Sequence, residues 1–134
     1  MKKILFTAVS AFLLSTTTAF AATYDACKNP TTPYDQTYCT AKLFLQSDSE
    51  LNQTYAALVK LVVDKDTKQS LVKAQRSWIQ YRNTNCSEGG TIDVQCNFDV
   101  NKARTVFLQD RVRECKIGHC DNKMIIDTNF GKNN

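Results

Sequence analysis

Apolar positions along the chain fall into three stripes at helical spacing, separated by polar breaks. After Pro30 and Pro33, with Asp35 placed to cap the element, Phe44, Leu51, Tyr55, Leu58, Leu61 and Val62 mark one face of a long first helix. Continued in phase, that face would next meet Asp66, Gln69, Lys73, Arg76 and Gln80, all polar, so the helix must break near residues 64–66. Asp66 and Gln69, three residues apart, form a capping pair for a second helix. The stripe of that helix runs through Leu71, Ala74, Gln75, Trp78, Tyr81, Arg82 and Asn85, and stops at Cys86 and a Gly89-Gly90 loop. The third stripe, Cys96, Val100, Ala103, Phe107, Leu108 and Val112, ends near Cys115. Residues 121–134 are mostly polar, with an apolar run at Met124, Ile125 and Ile126, and read as a flexible C-terminal tail. The pattern contains no strand and no internal repeat, so the fold class is all-α: an antiparallel helical hairpin plus a third helix.

The hairpin places particular residues opposite one another. With a tight turn centred on residue 65, residues at one level have numbers summing to about 130. Asp48 then lies level with Arg82, Asn52 with Trp78, Tyr55 with Gln75 and Phe44 with Cys86. Asp48 and Arg82 both interrupt apolar stripes, and each would be costly if buried alone. An Arg and a carboxylate satisfy each other through two parallel hydrogen bonds, and stranding one member of a buried pair costs about 3 to 5 kcal/mol. The pattern therefore predicts an Asp48–Arg82 bridge, with Asn52, Gln75 and Arg104 completing a buried polar network. It also predicts that Tyr55, Trp78 and Tyr81 are core aromatics, since an aromatic on an inner helical stripe packs more often than it binds a sugar or a base.

Composition adds a compartment. Met1, Lys2 and Lys3, the apolar run at residues 4–14 and Ala19-Phe20-Ala21 have the layout of a secretory signal peptide spanning residues 1–21. The apolar run is too short to span a membrane, and no cysteine directly follows the cleavage site to carry a lipid. The expected organisation is thus a signal peptide, a helical domain at 22–120 and a tail at 121–134, in a periplasmic or secreted protein. All six cysteines lie beyond the signal peptide, as expected for a disulfide framework in a small exported chain. Cys86 ends the second helix and Cys96 begins the third, which makes them natural partners; Cys115 and Cys120 can close a local loop, and Cys27 with Cys39 would fasten the Pro-rich leader to helix one. The alternative joins Cys27 or Cys39 to Cys86 or Cys96, because these four gather at one end of the bundle. Zinc is disfavoured by the lack of a C-x-x-C motif and by His119 being the only histidine. No metal or other cofactor is expected.

Charge excludes a further class. Without the signal peptide, 15 Lys and Arg face 13 Asp and Glu, a net charge of about +2. Nucleic-acid binders concentrate basic residues on one face, and the nearest thing here, Lys65, Lys68, Lys73 and Arg76, reads as a solvated helix surface. Catalysis fares no better. A general acid needs a carboxyl raised toward neutrality, and a neighbouring guanidinium works in the opposite direction. His119 sits inside a disulfide loop, and paired thiols cannot attack. The sequence offers no catalytic constellation, and the expectation is a non-enzyme.

Four segments carry a resemblance. "SDSELNQTY" at 47–55, "LVKAQRSWIQYRNTNC" at 71–86, "EGGT" at 88–91 and "CNFDVNKAR" at 96–104 are similar to successive motifs of the LprI-like lysozyme-inhibitor domain family. Those motifs are D-x-E-L-N-x-x-Y, L-x-x-A-Q-R-x-W-x-x-Y-R-x-x-C, G-G-S and C-x-x-x-L-T-x-x-R. Asp48, Glu50, Leu51, Asn52, Tyr55, Gln75, Arg76, Trp78, Tyr81, Arg82, Cys86, Cys96 and Arg104 match, whereas Thr91, Val100 and Asn101 stand where the family has Ser, Leu and Thr. The chain also departs in lacking the lipid-attachment cysteine of the named inhibitor and in adding Cys115 and Cys120. The resemblance implies a small secreted or periplasmic helical domain whose partner is a lysozyme or another peptidoglycan hydrolase. The loop bracketed by Cys86 and Cys96, with Ser87, Glu88, Gly89, Gly90, Thr91 and Asp93, is the candidate contact surface; read as structure alone, its glycines only permit a tight connection. The competing function is a structural or scaffolding role in the cell envelope.

Overall fold

The computed structural model describes residues 27–120, 122–126 and 130. The signal-peptide segment at 1–21 and most of the 121–134 tail lie outside the described residues.

Helix α1, Pro33–Leu61, opens with Pro33 in its first turn, where a missing N–H costs nothing. Its cap is Thr32, not Asp35: the Thr32 Oγ1 accepts from the Asp35 N–H at 3.1 Å and donates to the Asp35 carboxylate at 2.8 Å. Asp35 instead places a negative charge in the first turn, against the positive end of the helix dipole. The phase break comes through extended backbone at 62–64 with no Gly or Pro, and α2, Lys65–Asn85, begins there. The pairing of Asp66 with Gln69 gives way to Asp64, whose carboxylate accepts from the Thr67 N–H at 2.6 Å. Hydrogen bonding from the Thr67 side chain, and then from its N–H, holds the Asp64 carboxyl below its usual range.

Two-residue strands β1, Ser87–Glu88, and β2, Thr91–Ile92, pair antiparallel with Ser87 opposite Ile92 and Glu88 opposite Thr91. This short ladder was not visible in the apolar pattern because both strands are exposed on both faces. Gly89 at φ 57° and Gly90 at φ 80° supply the two left-handed positions of a tight hairpin turn.

Helix α3, Val94–Lys116, starts at the Asp93 cap. It ends in a Schellman turn in which the Gly118 N–H reaches the Cys115 carbonyl at 3.2 Å and the His119 N–H reaches the Glu114 carbonyl at 2.9 Å. A final turn of helix, α4, spans Asn122–Ile125. Ile125 is only 1 % exposed and joins the core, so this part of the expected free tail is an element of the fold.

The bundle is all-α apart from the hairpin, with α2 antiparallel to α1 and α3 running beside α1 in the same direction. The closest backbone packing is between α1 and α3, while α2 stands further off and reaches them through its side chains. Leu51, Leu58, Val62, Leu71, Trp78, Leu108 and Ile125 form the core. The face that α3 buries differs from the apolar stripe. Its buried residues are Asn97, Asn101, Arg104, Thr105, Leu108 and Arg111, whereas Ala103 is exposed and Val100, Phe107 and Val112 are half-buried. The helix is turned so that Asn101 meets Ser47 and Asp48 on α1 and Arg104 meets Gln75 on α2, while Thr105 and Asn97 donate to carbonyls one turn back, at Asn101 and Asp93, at 2.9 and 2.7 Å. Guanidinium stems pack on ring faces, with Arg104 and Arg111 lying 4.8 and 5.3 Å from the Phe107 centroid.

Three disulfides staple the described chain: Cys27–Cys39, Cys86–Cys96 and Cys115–Cys120. None joins the leader cysteines to Cys86 or Cys96.

Candidate functional site

Two groups of residues warrant a functional reading, the interhelical polar cluster and the hairpin tip. In the first, Arg82 Nη1 donates to Asp48 Oδ1 at 3.2 Å and to Asn101 Oδ1 at 3.0 Å, while its other nitrogens reach the Asn83 side chain. Asn101 Nδ2 returns weaker contacts at 3.4 Å to Asp48 Oδ1 and Ser47 Oγ. Above the pair, the Arg82 guanidinium lies 5.2 Å from the Trp78 ring centroid. The cluster is not dry, since the Asp48 side chain is 39 % exposed and Asn52, which donates to Asp48 Oδ2 at 3.1 Å, faces solvent.

Gln75 and Arg104 make a deeper contact of their own, Arg104 Nε donating to Gln75 Oε1 at 3.2 Å with both residues buried. The single network expected from the sequence is therefore arranged as two groups. Asn101, fully buried and central to the first, is the member that the apolar pattern passes over. Its signal was present: it lies four residues after Asn97 and seven before Leu108, on the face that α3 buries. Trp78 is in the core, while Tyr55 and Tyr81 are half-buried. Burial pushes the Tyr55 phenol above its ordinary value, partly offset by the positive charges of Arg76 and Arg104. Tyr81 packs on Phe130 with centroids 5.6 Å apart. Asp48, Arg82 and Arg104 are each bonded to a neighbouring helix, and the arrangement positions helices.

The hairpin tip differs in being exposed throughout residues 87–93 and in being held at its base. Cys86 is 1 % exposed, its disulfide to Cys96 closes the loop, and the Asp93 N–H donates to the Cys86 carbonyl at 2.9 Å. Ser87 donates to the Asn83 carbonyl and Thr91 to the Glu88 carbonyl, each at 2.6 Å, so both hydroxyls stiffen the loop. The Asp93 carboxylate accepts from the Cys96 N–H at 2.9 Å and caps α3. Of the two loop acids, only Glu88 has a carboxylate without a hydrogen bond or ion pair among the described residues. Ile92, which the apolar pattern does not place in the loop's contact set, is 69 % exposed on the other face of the hairpin, opposite Ser87. No group of three metal-ligating side chains occurs among the described residues.

Comparison with known proteins supplies the frame for this geometry. A family model described as Lysozyme inhibitor LprI matches residues 27–108, more than half of the chain. The chain belongs to the LprI family. The match runs from Cys27 through α1, α2, the hairpin and α3 as far as Leu108, and so contains both candidate groups and two of the disulfides. The Cys115–Cys120 loop and α4 lie beyond it. Comparisons with curated proteins and with solved structures returned no match. At the level of the family, LprI membership means a lysozyme-inhibitor domain, and the described helices include none long and apolar enough to cross a membrane.

Proposed function

We propose that this LprI-family protein is a periplasmic or secreted binding module that blocks a lysozyme or another peptidoglycan hydrolase, with the hairpin tip at residues 87–93 as its contact surface. The observation that carries this reading is the family match combined with a two-stranded projection locked at its base by Cys86–Cys96. A preorganised loop binds without the entropic cost of ordering a flexible one. Its two faces carry different chemistry: Glu88, a carboxylate free of internal partners, stands opposite Thr91 on one face, and the exposed apolar Ile92 stands opposite Ser87 on the other. Two glycines without Cβ atoms keep the tip narrow, and both strand faces are open to solvent. Glycoside hydrolases work in clefts flanked by two carboxyl groups, so Glu88 would engage the basic surround of such a cleft and Ile92 its apolar wall. A net charge of about +2 without the leader gives little steering toward a strongly basic lysozyme; affinity would rest on contact at the tip. Three disulfides support an oxidising compartment.

The test is titration of the oxidised protein into a panel of lysozymes and the cell's own peptidoglycan hydrolases, following turbidity clearance and complex formation together. Glu88→Gln and Ile92→Ser should each weaken inhibition by about tenfold, the scale of an interface hot spot. Asp93→Asn, which alters a helix cap, should act on stability more than on inhibition. Binding to none of these enzymes would favour the envelope-scaffold role instead.

A further inference from the structure

The outer face of α1 carries a seam that plays no part in the hairpin tip. Tyr34, Tyr38, Ala41 and Leu45 are spaced four, three and four residues apart, the spacing of the a and d positions of a heptad repeat. A soluble domain normally turns such a seam inward. Here Tyr34 is 75 % exposed, Tyr38 44 % and Leu45 66 %, and the two tyrosine rings lie nearly parallel with centroids 6.4 Å apart. The residues that α1 buries, Ser47, Leu51 and Leu58 among them, lie on another side of the helix. The Asp48 bonds to Arg82 and Asn101 set the levels: Asn85 comes level with Leu45, and Val94 with Ala41. The first two turns of α1 thus project past the end of α2 and the start of α3, with Cys27–Cys39 bracing them from behind.

The charges beside this seam identify what fits it. Asp35 and Lys42 each sit one residue after a seam position, seven apart, and occupy the same flank, the e position of successive heptads. Two antiparallel copies of one helix bring e flank against e flank. About a two-fold axis between residues 39 and 40, which layers Tyr34 against Leu45 and Tyr38 against Ala41, Asp35 of each copy comes within a turn of Lys42 of the other, giving two symmetric ion pairs. A face that complements itself in this way is the signature of an isologous interface. Asp35 is held by Thr32, one residue before the helix, and Lys42 has no ion-pair partner among the described residues. A lipid surface or a glycan would use the tyrosines and leucine but would gain nothing from this alternation of charge.

We propose that the seam Tyr34–Tyr38–Ala41–Leu45 is the contact for a second copy of this chain, joined by an antiparallel α1–α1 pairing with reciprocal Asp35–Lys42 ion pairs. The seam is about 16 Å long at 1.5 Å per residue, shorter than the helix contacts of obligate dimers, so the association is weak and concentration-dependent. It stands independently of the hairpin's role in inhibition.

Sedimentation equilibrium of the oxidised protein over a concentration series tests it. The expected result is a monomer–dimer equilibrium that Leu45→Glu abolishes and that Lys42→Asp weakens by about tenfold or more through two reversed charge pairs. Asp35→Lys alone should do the same. An equimolar mixture of the Lys42→Asp and Asp35→Lys chains should regain the dimer, because each cross-pair is again of opposite sign. Far-UV circular dichroism verifies that the exposed substitutions leave the helices formed. A wild-type protein that stays monomeric to about 1 mM, where only a binding free energy weaker than about 4 kcal/mol escapes detection, overturns the proposal. So does a dimer indifferent to Leu45→Glu, a charge-swapped mixture that remains monomeric, or a monomer that uses Tyr34 and Tyr38 to sediment with peptidoglycan or anionic vesicles.

Discussion

Asn101 illustrates how much one side chain decides here. It is wholly buried, accepts from Arg82 at 3.0 Å and contacts Ser47 and Asp48 across to α1, so it joins three helices through one amide. Replacing it with Ala leaves part of the Arg82 guanidinium desolvated with no acceptor, at a cost of about 1 to 3 kcal/mol read from urea unfolding. By contrast, the Asp48–Arg82 coupling in a double-mutant cycle should come out below about 1 kcal/mol. Asp48 is 39 % exposed, and water screens the pair as it does other surface bridges. Pairing Asp48 with Arg82 was legible because the two charges interrupt facing stripes at matching heights. The weight of Asn101 was not, since an asparagine in a helix reads as a surface residue until its neighbours at 97, 104, 105, 108 and 111 are seen to share its face. Tyr55 shows a similar limit: an aromatic at helical spacing announces an inner face, but its half-burial depends on where Arg76 and Arg104 come to lie.

At the scale of elements, helix count and order followed from periodicity, while the caps did not. Thr32 and Asp35, or Asp64 and Asp66, are chemically interchangeable as caps on paper; the choice depends on where the backbone turns extended, which no Gly or Pro marks at 62–64. The Asp64 cap yields a pH prediction. Its carboxyl is held below the ordinary 3.8 by the Thr67 bonds, so its contribution to stability is present above that value and is lost as pH falls through the lower, folded value. Thermal unfolding of Asp64→Ala should therefore trail wild type at neutral pH, and the gap should narrow as pH falls below the ordinary carboxyl value. If the gap held constant with pH, the cap would not be acting through its charge. The rotation of α3 has a comparable lesson. Apolar spacing favours Val100 and Ala103, but polar groups that already have internal partners bury at little cost, and Leu108 is common to both faces.

On the scale of the whole molecule, Ile125, well beyond the three long helices, belongs to the core. It shares one buried cluster with Leu58, Leu71 and Leu108, a long-range fact that a three-residue apolar run in a polar segment does not carry. Ile125→Ala should cost about 2 to 4 kcal/mol in urea unfolding, and a free tail would show no change. The candidate contact surface was legible for a different reason: cysteines bracketing a Gly-Gly turn define a projecting loop before any fold is known. Its inner workings, with Asp93 spent on a helix cap and Ile92 turned outward, required the geometry. The staples themselves have a consequence for assembly. Each sulfur finds its mate 12, 10 or 5 positions along the chain, so no crosslink waits for distant parts to meet. Proximity alone selects the right combination from the fifteen that six thiols allow. Reduced, denatured protein reoxidised in a glutathione buffer should recover these three links without an isomerase, as peptide mapping by mass spectrometry would show. Scrambled products would mean that the native links depend on the packed bundle to select them.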